Sequence, residues 1–542
     1  MLNRRLICRV LLFAVVVLGV GVFAAEEARV EPALHMVAMR DGTKLATDVY
    51  LPPEVDVPRP VVLMRTPYGR ASGKGEAQKY CRKGYVFVSQ DIRGRGKSEG
   101  HHAIIFRNGG WGERRDGHDT LNWIAAQDWC NGNVGTWGGS AVGITQNMLA
   151  PDAPDVLKGQ VVVVAFSDMY SQAAYQGGAW RKSLLAGWLK GTGMADVNLK
   201  TFLNHPTYDE FWAELNPEAQ AHRVNAPGIF IGGWYDIFLQ GTINSFVTIH
   251  NHGGPKARGR CRLVIGPIAH GKFDELKYPP NSKWPDAADA SRLFDYWLKG
   301  DSNGAESDKA VHYYVMGDPT DADAPGNFWR QADNWPPPAE PTAFYFHPGG
   351  KLVRGTPPAG NEKVSYRYDP NNPVPTVGGQ NLLLPKGPMD QRKVESRPDV
   401  LLFTTDVLSE PVEVTGRIYA KLYVSSDCCD TDFTVKLTDV YPDGRSMLVT
   451  DGILAARCRD SFEGPELMGP GWMYELTVDL WSTSLVFNKG HRIRVAVSSS
   501  NAPRFEPNPN TGGKGETRVA RNTVYLSNRH PSHILLPIYQ GR

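Results

Sequence analysis

A chain of 542 residues, 41% hydrophobic and 21% charged, is too long for one domain at about 100 to 200 residues each. It is apolar enough to bury two or three cores. Its 40 prolines and 56 glycines follow no short period, which excludes collagen-like, low-complexity and disordered classes. The formal charge of +2 includes Arg4, Arg5 and Arg9, and without the first 24 residues 56 Lys+Arg face 57 Asp+Glu, so nothing favours nucleic acid or an anionic membrane as a partner.

The first element is a leader. Arg4, Arg5 and Arg9 precede an uncharged run from Val10 to Ala25, and Val22-Phe23-Ala24 offers small residues at −3 and −1 for cleavage after Ala24. That run of 16 residues, with Gly19 and Gly21, falls short of the roughly 20 needed to span a bilayer. We therefore expect a signal peptide over 1–24 rather than a membrane anchor, and a periplasmic or extracellular protein. Export leaves Cys81, Cys130, Cys261, Cys428, Cys429 and Cys458 as either disulfide partners or buried free thiols, between which sequence does not choose.

From about Val37 to His270, short β-branched runs alternate with helical or Gly-bounded segments, the pattern of a largely parallel sheet covered by helices. Strands are predicted over Ala46 to Leu51, Pro60 to Arg65, Tyr85 to Asp91, Gly159 to Ala165, Gly228 to Gly232 and Arg262 to Gly266. Asp119 is expected to cap a helix carrying Leu121, Trp123 and Ile124. Residues from about 167 to 223, rich in Trp, Tyr and Leu, read as a helical insertion. After a strand at Val311 to Met316, the Pro-dense stretch from Trp335 to Pro341 marks a boundary, giving domains over 25–340 and 341–542. Beyond it the period becomes two, as in Ile418, Ala420, Leu422 and Val424, which argues a β-sandwich or jelly roll.

Gly138-Gly139-Ser140-Ala141-Val142-Gly143 precedes the helix-like segment from Ile144 to Ala150. In a strand-turn-helix elbow, small flanking residues let the chain turn sharply and project the serine hydroxyl. The spacing G-x-S-x-x-G is one residue longer than usual. A nucleophilic serine needs a base and a group to orient it. Asp236 follows Ile229-Phe230-Ile231 directly, and His270 follows Leu263-Val264-Ile265, so the acid and the base arrive in order, each just after a strand.

These segments resemble the superfamily of cocaine esterase, α-amino-acid ester hydrolase, glutaryl acylase and X-Pro dipeptidyl-peptidase. The matching stretches include Met39-Arg40-Asp41-Gly42-Thr43, Arg65-Thr66-Pro67-Tyr68, Gln90-Asp91-Ile92-Arg93-Gly94-Arg95-Gly96-Lys97-Ser98, Gly233-Trp234-Tyr235-Asp236, Gly266-Pro267 with His270, and Asp430-Thr431-Asp432-Phe433. The resemblance implies an α/β-hydrolase domain with a helical cap, followed by an all-β, galactose-binding-like jelly roll that closes over the site. It also implies that Tyr68 supplies its phenol to an oxyanion hole beside the backbone N–H of Ala141. The family commonly has an aromatic residue where this chain has Ala141.

The α-amino-acid ester hydrolases grip a substrate ammonium with carboxylates early in the cap and two and three residues after the catalytic aspartate. Here the latter positions are Phe238 and Leu239, and no Asp or Glu occurs from Met169 through Arg181. The pocket is therefore expected to be apolar, with Trp188, Phe238 and Leu239 contributing. Asp427, Asp430 and Asp432 lack calcium-loop spacing and read as solvated turn residues, while Arg93, Arg95 and Lys97 lack a phosphate-binding loop. The sequence thus points to a serine hydrolase acting on carboxylic esters, or amides, of apolar acyl groups. It needs a small-molecule substrate and no cofactor or metal. An X-Pro exopeptidase and a non-catalytic glycan-binding protein are the alternatives, and oligomeric state is unknown.

Overall fold

The structure is a computed structural model that describes residues 30–53, 57–101, 103–272, 275–513 and 515–541; the expected leader over 1–24 lies outside them. In the first half, β1 (Ala33–Ala38), β2 (Lys44–Tyr50), β3 (Arg59–Thr66), α1 (Lys74–Arg82), β4 (Val86–Asp91), α2 (Asp116–Ala125), β5 (Cys130–Gly139), α3 (Ala141–Leu149) and β6 (Leu157–Val163) alternate. A cap segment then leaves the sheet. It comprises a π-helical turn at Tyr170–Ala174, a small hairpin of β7 (Tyr175–Gln176) and β8 (Ala179–Trp180), α4 (Lys182–Gly191), α5 (Ala195–Asn204) and α6 (Glu210–Ala213). The chain returns through β9 (Gly228–Tyr235), α7 (Leu239–His252), β10 (Arg262–Ala269), β11 (Val311–Val315) and β12 (Phe328–Ala332).

The sheet order is β1-β2-β4-β3-β5-β6-β9-β10-β11-β12, and every neighbouring pair from β4 to β11 is parallel. Parallel strands place their carboxyl ends along one edge, where the connecting loops gather functional groups. β5 has no apolar run to announce it, because its glycines answer to packing. A Cβ on Gly135 would lie 2.6 Å from the ring of Phe294. The second sheet has twelve strands, beginning at Ala339–His347 and ending at His533–Tyr539. Its first strand runs through Pro341, which stands opposite Pro537, so neither missing N–H is asked of the other. The fold is thus an α/β domain followed by a β-rich domain.

Of the two states left open for the six cysteines, the structure has free thiols. Two local expectations change. Asp119 does not cap α2, whose N-cap is Arg115; its carboxylate accepts instead from the backbone N–H and guanidinium of Arg40. Asp430 and Asp432 are not solvated, being 0% and 3% exposed. Asn508 Nδ2 donates to both carboxylates, and Arg457 pairs with Asp430. Among the described residues no group of three or more metal-ligating side chains is assembled.

Burial, with Asp430 beside it, pushes the Asp432 carboxyl up to about 7. The unfolded group titrates near about 3.9, so the folded state binds more protons between those values. The cost of ionising Asp432 is therefore absent below about pH 4 and complete above about pH 7. In Asp432→Asn the amide oxygen keeps the bond from Asn508 and its nitrogen offers a donor towards Asp430, whose Oδ1 has no partner. We expect a Tm gain of a few degrees at pH 8 that fades by pH 4, followed by thermal unfolding at both values. An equal change at the two pH values would contradict the burial argument.

Candidate active site

Ser140 joins the end of β5 to the start of α3 and sits at φ 55°, ψ −127°, a left-handed conformation costing a non-glycine residue about 1–3 kcal/mol. The neighbours make room for the turn. A Cβ at Gly138 would lie 2.1 Å from Val142, and one at Gly143 would lie 2.9 Å from Val163 O. The longer G-x-S-x-x-G spacing thus reflects Gly143 packing α3 against the end of β6. Ser140 N–H donates to Val163 O at 2.9 Å, which fixes the serine over the sheet edge.

The other two members of the ordered trio converge on it. Asp236 follows β9 and His270 follows β10, and Gly233 lets the two strand ends approach, since a Cβ there would lie 2.3 Å from Ile268 O. His270 Nδ1 is 2.6 Å from Asp236 Oδ2, and His270 Nε2 is 3.0 Å from Ser140 Oγ. The second carboxylate oxygen of Asp236 accepts from Phe238 N–H at 2.7 Å, and the group is fully buried. With one oxygen held by the backbone, the other is left to orient the imidazole. Such a chain of bonds can carry a proton from a hydroxyl to an imidazole beside a buried carboxylate.

Tyr68 stands over the same serine. Its phenol oxygen accepts from Trp188 Nε1 at 3.1 Å. The residue is 45% exposed, and partial desolvation pushes the phenol up from its ordinary value, so the O–H keeps its proton near neutral pH. The loop carrying it is clamped by the charge-rich stretch: Arg95 Nε donates to Pro67 O at 3.0 Å and Arg95 Nη2 to Thr192 O of the cap at 2.9 Å. Arg93 is buried between Asp116 and Asp41. The arginines therefore build the site's frame. Ala141 lies in the first turn of α3, where backbone donors have no preceding turn to serve them.

A cavity of about 140 Å³ opens beside Ser140, lined by Tyr68, Phe106, Ala141, Ile144, Phe166, Met169, Ala173, Leu184, Leu185, Trp188, Ile237, Phe238, His270 and Leu382. Among the described residues no Asp or Glu lines it. Of the residues expected in the pocket, Trp188 and Phe238 line this cavity and Leu239 does not. It is fully buried at the first position of α7, turned about 100° away from Phe238 around the helix, and packs in the core. Sequence reading also missed Phe106, Phe166 and Leu382. Phe106 stacks on Trp188 with ring centroids 6.1 Å apart, and Leu382 comes from the β-rich half, more than a hundred residues after His270.

The X-Pro dipeptidyl-peptidase (S15 family) domain matches residues 41–198 and 193–272, and the X-Pro dipeptidyl-peptidase C-terminal non-catalytic domain matches residues 303–535. The cocaine esterase of Rhodococcus sp. (strain MB1 Bresler) is 35% identical over 93% of this chain and 97% of its own. A solved α-amino acid ester hydrolase superposes with a TM-score of 0.79 at 26% identity, covering 95% of this chain and 98% of that one. An aminopeptidase from a marine sediment Thaumarchaeota archaeon shares the fold, with a TM-score of 0.82 at 24% identity over 95% of this chain and 97% of its own. A match along nearly the whole chain, through both halves, places the protein in the X-Pro dipeptidyl-peptidase (S15) family of hydrolases, together with the cocaine esterase and the α-amino acid ester hydrolase.

Proposed function

We propose that the protein hydrolyses carboxylic esters of apolar acyl groups through an acyl-enzyme on Ser140. The observation that carries this reading is the unbroken chain Asp236–His270–Ser140 opening onto a cavity walled by apolar side chains. Ser140 Oγ attacks the acyl carbon while His270 Nε2 takes its proton. The proton returns to the leaving oxygen, and water then repeats the sequence to release the acid. Asp236 fixes the imidazole tautomer and faces the imidazolium. The phenol of Tyr68, polarised by Trp188, and the N–H of Ala141 hold the oxyanion, in a role that depends on donors fixed before charge develops.

The pocket narrows the acyl group. A dry cavity of about 150 Å³ lined by aliphatic and aromatic groups accommodates benzene, so a volume of about 140 Å³ suits a single-ring aryl or short branched acyl chain. The cocaine esterase relative supports an ester rather than a peptide as substrate. In this reading the β-rich half is a jelly roll that closes the pocket through Leu382, the chain divides near residue 340, and the enzyme is exported by its leader.

Ser140→Ala is expected to lower kcat by about 10⁶, and a fluorophosphonate should label Ser140 alone on peptide mapping. Labelling of active enzyme at another serine would remove Ser140 from its role. Tyr68→Phe deletes one oxyanion donor and should cost about 10² to 10³ in kcat with little change in KM; an unaltered kcat would leave the phenol without a part in the chemistry.

The apolar pocket predicts discrimination against a charged acyl group. Desolvating an ammonium without a carboxylate costs at least a few kcal/mol, or about two decades in kcat/KM. Phenylacetyl esters should therefore be preferred over phenylglycyl esters at a pH where the amine is protonated, and Phe238→Glu should narrow the gap. A clear preference for the phenylglycyl ester would instead support the exopeptidase reading.

A further inference from the structure

Arg181 immediately precedes α4, yet its side chain turns inward and is 1% exposed. Among the described residues it makes no ion pair. Its Nη1 donates to Gln172 O, on the π-helical turn of the cap, and to Ile237 O at 3.1 Å, one residue beyond Asp236. The guanidinium carbon lies 5.6 Å from the ring centroid of Trp481, which belongs to the second sheet and is itself held at φ 63°. Arg181 Nε has no partner. An arginine buried without an ion pair is costly, and an apolar side chain of similar volume would commonly be better tolerated.

The charges around it do not offset that cost. Burial, with Arg504 beside it, holds the Arg181 guanidinium well below its ordinary range, against Asp451 and Asp236. Arg504 Nη1 already occupies Asp451 at 2.7 Å, and the two oxygens of Asp236 are taken by His270 and the Phe238 N–H. What Arg181 supplies is therefore its bonds rather than an ion pair.

We propose that Arg181 is a positioning residue for hydrolysis: it locks the Asp236 loop and the cap turn onto the β-rich half. This rests on the reading of Ser140, His270 and Asp236 as the reacting set. The planar guanidinium matters because one group must serve two carbonyls on different segments and an indole face at once, which a lysine ammonium cannot reproduce.

The test uses the full chain with Arg181→Met and Arg181→Lys, measuring p-nitrophenyl phenylacetate hydrolysis from pH 5 to 9, active-site titration with a fluorophosphonate, and Tm. In Arg181→Met, kcat per titrated site should fall about 10- to 100-fold with KM nearly unchanged. Arg181→Lys, which keeps a cation without the planar fork, should leave kcat per site depressed as well. If the Met variant does not fold, the Lys variant decides: lowered kcat per titrated site with KM nearly unchanged supports the role, and unchanged kcat per site overturns it. A Met variant with the original kcat per site, or variants whose losses track only the fraction folded, would also overturn it. Labelling of Ser140 in the unmodified chain reports on the reacting set independently.

Discussion

The backbone at Ser140, held at φ 55° and ψ −127°, sets what the surrounding structure must be. A side chain bearing a hydroxyl reaches the sheet edge in this conformation only if the turn is crowded by nothing larger than hydrogen at Gly138 and Gly143. It must also be held in place by interactions made elsewhere, since the strain has no local relief. The bond from Ser140 N–H to Val163 O and the bond from Thr145 Oγ1 to Arg65 O supply that hold. The second ties α3 to the strand that leads into Tyr68. Ser140 and the Tyr68 phenol are therefore positioned by a single packed unit rather than by two independent loops.

How much of this the sequence discloses depends on whether a residue's role is local. The strands flanking Asp236 and His270 are continuous apolar runs, and their order along a parallel sheet can be read directly. β5 is not legible, because the packing of Phe294 over Gly135 replaces β-branched residues with glycine. Asp119 escapes a local reading for a similar reason: its carboxylate serves Arg40, 79 residues away. Leu239 illustrates a limit of spacing arguments, since one step along a helix turned it out of the pocket that Phe238 enters. The pocket wall from Phe106 and Leu382 depends on long-range folding and leaves no periodic trace.

The two halves are joined at the site itself. Tyr235, next to Asp236, donates to Leu448 O at 2.9 Å, and Trp234 donates to Tyr314 O at 2.7 Å. These bonds give the Gly-Trp-Tyr-Asp stretch a mechanical meaning: its aromatic residues anchor Asp236 to both sheets. The cap hairpin is seated equally closely. A Cβ on Gly177 would lie 1.9 Å from Ile453 O, and Ala455 N–H donates to Gly177 O at 2.8 Å. The β-rich half thereby braces both the acid loop and the cap, although it contributes none of the proposed reacting groups.

The π-helical turn at Tyr170–Ala174 shows why that bracing matters for chemistry. Met169 and Ala173 face the apolar cavity beside Ser140, whereas Asp168, Ser171 and Gln172 line a polar cavity of about 690 Å³ on the other side. One turn of backbone thus separates a small apolar chamber from a large polar one. Burial and the neighbouring Glu218 push the Asp168 carboxyl up to about 6, against the bonds it accepts from Ser171 and Tyr170. A loosened turn would bring this polar face towards the acyl group and admit water from the larger cavity. Hydrogen bonds at the reacting centre would then weaken as the local dielectric rose. The carbonyl of Gln172, at the middle of that turn, is held by Arg181, so the wall of the pocket and the loop of the acid are held by one side chain.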